Sequence, residues 1–173
     1  MIRYARLTLF LIAIVLIQTT VMPYLRILDV VPELALVATI AIAYREGPET
    51  GAGFGFVAGF ATDLFIDTPL GLSALVFTLT GYLIGVVQGA MARTAWWVPP
   101  VLGGLGGLVS GLLFVGIGTL VGQEQLWALR SLRIVAISAC YDAVVAFIVF
   151  PVASLACHSD GPRTASPSNA QGW

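Results

Sequence analysis

Residue types that carry out chemistry are scarce in this sequence. The one histidine, His158, stands in a stretch rich in Ser, Pro, Gly and Asn near the C-terminus. Imidazole acid–base or metal chemistry inside an apolar span is therefore excluded. Ser110 precedes Gly111, but no apolar span offers a histidine to activate it. The absence of any lysine removes a Schiff base, a phosphate-binding lysine and a polybasic nucleic-acid face. Cys140 and Cys157 fall 17 residues apart in one expected helix, where about 25 Å of rise keeps them from pairing. Gly51–Gly59 follows no strand and lacks the spacing of a dinucleotide-binding turn. Asp63 and Asp142 could form an aspartyl pair, but nothing else in the sequence supports one. No enzyme, cofactor or metal site is expected.

These residues sit in an apolar chain. Of 173 residues, 58% are apolar and 10% charged, with 19 glycines and a formal net charge of -1; mean hydropathy is +0.96. Soluble domains carry about 25% charged residues. The composition therefore reads as an all-α, polytopic membrane bundle of one domain. A crossing helix needs about 20 apolar residues. Six spans are expected, at Leu7–Met22, Val31–Tyr44, Gly51–Ile66, Leu72–Met91, Val98–Gly122 and Ile134–Ala156, with the second and third the shortest. Leu7–Val21 is followed by Met22-Pro23-Tyr24 and not by a small-x-small cleavage site, so the first span is read as retained. Residues 1–157 form the membrane domain, and 158–173 are expected to be a disordered cytoplasmic tail. The segment Gln123–Arg133 is placed along the membrane surface.

Arginine counting sets the orientation. With the N-terminus inside, the cytoplasmic side holds Arg3, Arg6, Arg45, Arg93 and Arg163, against Arg26, Arg130 and Arg133 outside. Both termini are accordingly expected in the cytoplasm. Asp63 then lies at the outer end of the third span. Asp142 lies eight residues into the sixth, about 12 Å below its outer edge. Intramembrane acids are costly and need partners. A polar cluster in the outer half is expected from Asp63, Asp142, Gln18, Thr19, Thr20, Arg130 and Arg133. The plainer alternative is that Asp142 bonds a neighbouring serine or carbonyl and fixes helix register, with Asp63 an ordinary loop-edge acid.

Gly51, Gly55, Gly59 and Asp63 recur every four residues and make one ridge along the third span. Small residues so spaced let helix backbones approach closely. The ridge could serve internal packing or dock a partner helix. Glu33, just after Pro32, opens the second helix and complements its dipole. Gln88 is expected to bond across helices near the cytoplasmic end.

Gln18-Thr19-Thr20 closes the first helix and Pro32-Glu33-Leu34-Ala35-Leu36 opens the second. Gly55-Phe56-x-x-Gly59-x-x-x-Asp63, Leu70-Gly71-Leu72-Ser73-Ala74-Leu75 and Thr80-Gly81-Tyr82-Leu83-x-Gly85 follow. Taken in order, these motifs resemble the MreD family of bacterial rod shape-determining membrane proteins. The likeness runs from Leu7 to Gly85; beyond that only hydropathy and span number agree. Asp29 and Val30 stand where the family often has a glycine. The resemblance implies a non-catalytic scaffold of the cell-elongation complex. It would bind a MreC-like single-span protein and work indirectly with MreB, RodA and a class B penicillin-binding protein. The outcome would be lateral peptidoglycan synthesis and rod shape, with membrane lipids as surroundings and no nucleic acid involved.

In overall shape the family is also similar to the substrate-binding subunits of energy-coupling-factor vitamin transporters, which supplies a second reading. Those subunits usually carry Ala-x-x-x-Ala in the first helix. Here Thr8–Val21 contains only Ala13.

Overall fold

The computed structural model describes residues 2–21, 31–65, 70–88, 97–120 and 129–157. Six helices account for nearly all of them: α1 (Ile2–Thr20), α2 (Leu34–Glu46), α3 (Pro48–Asp63), α4 (Leu72–Val87), α5 (Val98–Leu120) and α6 (Leu129–Ala156). No strand occurs among the described residues. The tail 158–173 lies outside them, as do Arg26, Asp67, Arg93, Trp127 and Arg163.

α2 is the axis of the bundle. Its sequence is apolar all round, and Leu34–Tyr44 is buried without a break. A helix with no polar face has to be enclosed, and α2 touches each of the other five helices. Ala35, Ala38, Ala41 and Ala43 keep its girth small enough for neighbours to close in from every side. Its one internal polar group is satisfied locally, since Thr39 Oγ1 donates to the Ala35 carbonyl at 2.8 Å.

A single residue joins α2 to α3, not the loop of about six expected at Arg45–Thr50. Gly47 has φ +97° and ψ -178°, a conformation essentially reserved for glycine. Pro48 then starts α3 with its φ already set for a helix, and Glu49 lies in the first turn beside the positive dipole end. A second difference lies in α6, which begins at Leu129, more than a turn before Ile134. Hydropathy marks where the apolar stretch begins. The backbone hydrogen bonding continues past that point through Arg130 and Arg133.

Length separates the helices into two kinds. Val98–Leu120 and Arg133–Leu155 are long and apolar enough to cross a membrane; Ala5–Thr20 and Leu72–Val87 are apolar but shorter. α2 with 13 residues and α3 with 16 rise about 20 and 24 Å, less than the roughly 30 Å of hydrocarbon. The outward surface is nonetheless apolar. Every helix except α2 exposes large apolar side chains, such as Leu9 and Leu16 on α1, Phe56 and Phe60 on α3, Leu83 and Val86 on α4, Leu105 on α5 and Ile148 on α6. So much apolar surface suits a lipid solvent and not water.

Two antiparallel helix pairs are drawn together by glycine. In the first, the four-residue ridge of α3 lies directly on α4. A Cβ built on Gly55 would come 2.5 Å from the Phe77 carbonyl oxygen, and one on Gly81 would come 2.5 Å from that of Gly51. Gly59 faces Ser73 and Ala74, and Gly85 faces Pro48. The Gly51–Gly55–Gly59 face is thus filled by this chain's own α4, and by Ala43 and Thr39 of α2. In the second pair, Gly103, Gly107 and Gly111 of α5 face Ala146, Asp142 and Val135 of α6. Because the atoms opposite Gly55 are backbone, a methyl group there forces the helices apart. Gly53, on the same helix, has nothing within 4 Å of its would-be Cβ. Gly55→Ala is therefore expected to cost about 1–3 kcal/mol and lower the unfolding midpoint in detergent by about 5 °C. Gly53→Ala should leave the midpoint unchanged or slightly raised. Thermal unfolding of the two variants side by side measures the difference.

Candidate functional site

The antiparallel contacts place the starts of α2, α4 and α6 at one end of the bundle, and the carboxylates gather there. A helix begins with backbone N–H groups that have no intrahelical acceptor. In apolar surroundings each needs an acceptor from elsewhere. Neither α2 nor α4 caps itself: their N-cap residues, Glu33 and Gly71, make no side-chain cap hydrogen bond. Neighbouring helices provide the acceptors.

At the start of α4 the acceptor is Asp63, the last residue of α3. Its Oδ2 accepts from Gly71 N at 2.8 Å and Ala74 N at 3.3 Å, and its Oδ1 from Ser73 N at 3.2 Å. Gly71 has φ +96°, which turns the chain so that these groups converge on the carboxylate. Asp63 is 2% exposed. The glycine ridge brings α3 close enough to α4 for this short side chain to reach.

At the start of α2 two helices contribute. Asp142 Oδ1, from α6, accepts from Glu33 N at 3.1 Å. Gln18, from the end of α1, accepts from Leu34 N through Oε1 at 2.8 Å and donates through Nε2 to the Pro32 carbonyl at 3.3 Å. Glu33 lies within electrostatic reach of both Asp142 and Asp63. Of the residues read as one cluster, Asp142 and Gln18 meet at the head of α2, whereas Asp63 serves the head of α4. Thr19 donates to its own helix, to the Val15 carbonyl at 3.0 Å, and Thr20 is exposed. Arg133 is exposed on a different face of α6, beside Ala136, Ile137, Cys140 and Tyr141. Arg130 belongs to the first turn of α6, and its side chain lies outside the described residues.

A cavity of about 250 Å³ adjoins the head of α2, between α5 and α6. Glu33, Asp142, Ser110 and Ser138 are its polar walls; Phe114, Val115, Ile134 and Val135 are among its apolar ones. Asp142 is 1% exposed, and its Oδ2 has no hydrogen-bond partner among the described residues. That oxygen rests against Gly107, where a Cβ would come within 2.7 Å of it. Sequence reasoning considers Ser110 only as a nucleophile and does not single out Ser138 or the Gly103–Gly107–Gly111 ridge, although the four-residue glycine repeat on α5 is visible there. At the opposite end of the bundle Gln88 packs against the Gly47 turn, its Oε1 buried and without a partner among the described residues.

Chemically, the arrangement binds helix ends. No group of three or more His, Cys, Asp or Glu that could hold a metal occurs among the described residues. Removing an acceptor should loosen the helix start it serves, at about 1–3 kcal/mol for each buried N–H left without a partner. Hydrogen exchange measured by mass spectrometry should speed up at the first turn of α4 in Asp63→Ala and at the first turn of α2 in Asp142→Ala. Equal exchange at both sites in both variants would contradict the assignment.

No curated protein and no solved structure matches the chain, and the vitamin-transport reading gains no support from these comparisons. The family model for the rod shape-determining protein MreD matches residues 2–155, which takes in the glycine ridges and both capped helix starts. The chain belongs to the MreD family.

Proposed function

We propose that this chain is a non-catalytic, six-span membrane scaffold of the cell-elongation machinery. In this reading it holds a MreC-like single-span protein and thereby supports lateral peptidoglycan synthesis alongside MreB, RodA and a class B penicillin-binding protein. The family match over residues 2–155 carries the reading, since it assigns the chain to the proteins that determine rod shape.

The bundle suits the task in physical terms. A scaffold needs a fixed shape, and two glycine-seamed helix pairs around a fully enclosed α2 supply one. With only short stretches of sequence between its helices, it acts through its membrane faces and the loops at the acid end. α2 counts as a span because the other helices enclose it, and α3 because it is seamed along its length to α4, so neither has to match the bilayer alone. The arginine balance of five against three puts both termini in the cytoplasm and the acid end outside.

Deleting the gene in a rod-shaped host should give rounded cells with raised sensitivity to wall inhibitors, restored by the intact chain. Mild-detergent purification should recover a stoichiometric single-span companion with an extracytoplasmic domain. Rods of normal shape together with no companion would refute the proposal.

A further inference from the structure

The cavity between α5 and α6 holds a polar atom that the fold itself leaves unanswered. Asp142 uses Oδ1 to cap α2, while Oδ2 is buried at the cavity wall with no donor. A buried carboxylate oxygen without a donor is costly. Glu33 adds a second carboxyl group to the same wall, while Ser110 and Ser138 add hydroxyls. Among the described residues, no arginine or histidine lines the cavity. Such a lining selects a ligand that donates hydrogen bonds and carries positive charge.

The remaining walls define the rest of the ligand. Phe114, Val115, Ile134 and Val135 make an apolar flank, and Ile134 is 41% exposed at the rim. The cleft is formed by the two helices long enough to cross a bilayer, so its open side faces lipid. About 250 Å³ admits a small headgroup and excludes acyl chains. We propose that this cavity binds the primary ammonium headgroup of a membrane amphiphile. In the bound state Asp142 Oδ2 accepts an N–H, Glu33 contributes the second negative group, and the chains remain outside along α5 and α6. The inference rests on the chain lying in a bilayer and not on the MreC-like partner, so its failure would leave the proposed function standing.

The test uses the full chain, stripped of lipid in a neutral detergent, with the unfolding midpoint as readout. Phosphatidylethanolamine should raise the midpoint by about 3–5 °C at saturation. Phosphatidylcholine, whose quaternary nitrogen has no N–H, and anionic phosphatidylglycerol should produce less than half that shift. Free ethanolamine separates the two sources of the same chemistry: an equal shift assigns the cavity to a soluble amine, and no shift assigns it to the lipid. Asp142→Asn retains an acceptor for Glu33 N and should abolish the preference for ethanolamine lipid. Should that variant fail to fold, Ser138→Leu leaves the cap in place, fills the cavity and should abolish it too. An equal response to all three lipids, as expected of a cavity filled only by water, would overturn the proposal. So would a preference that survives in the folded variants.

Discussion

A helix that starts inside apolar surroundings must find hydrogen-bond acceptors for its first N–H groups, and this architecture is organised around that requirement. α2 and α4 are short, and neither supplies acceptors for its own first turn. Their starts are therefore closed from outside, by Asp142 and Gln18 for α2 and by Asp63 for α4. The acids that look unaffordable in a membrane segment are structural acceptors, each aimed at a particular helix terminus. Close packing follows from the same need. Asp side chains are short, so α3 must lie against α4, and α6 against the head of α2, before the bonds can form. Glycine at four-residue intervals makes the α3–α4 approach possible and draws α5 onto α6, bringing Gly107 up to Asp142.

The membrane class and the six helices were legible because hydropathy and turn residues act locally. Leu72 and Val98 were placed as helix starts to the residue. The ridge Gly51–Gly55–Gly59 was legible as a close-approach face for the same reason, since its spacing depends on one helix alone. Its occupant was not legible. That the face belongs to α4 and not to another protein depends on where Phe77 and Ser73 come to lie. Asp142 and Asp63 stood out as misplaced charges, but their roles required knowing which N–H groups lay opposite. Glu33 and Asp142 are separated by 109 positions, and nothing local to either one points to the other. Helix ends were the least legible. Arg130 and Arg133 marked the edge of the apolar stretch, and α6 nonetheless begins at Leu129.

Distributing acceptors this way also ties together, at their ends, elements that the apolar core already packs side by side. Asp63 ties the end of α3 to the start of α4, Gln18 ties α1 to α2, and Asp142 ties α6 to α2. Only at Asp142 does the scheme leave an atom over. Where Asp63 uses both oxygens on backbone donors, Asp142 uses one and presents the other to a cavity. Two residues of one type, each at a helix head, thus divide into a closed device and an open one. The difference comes from the neighbouring helix, which supplies three N–H groups in one case and one in the other.

The 109-residue reach from Glu33 to Asp142 also bears on how the molecule is made. The ribosome delivers α2 long before α6, so the second helix forms with its leading amide still waiting for an acceptor. Until α6 arrives, Gln18 alone holds that end. A helix synthesised about a hundred residues later thus locks the α2–α3 hairpin in place. A chain cut short before Asp142 would emerge as an unfinished body and not as a smaller version of the whole.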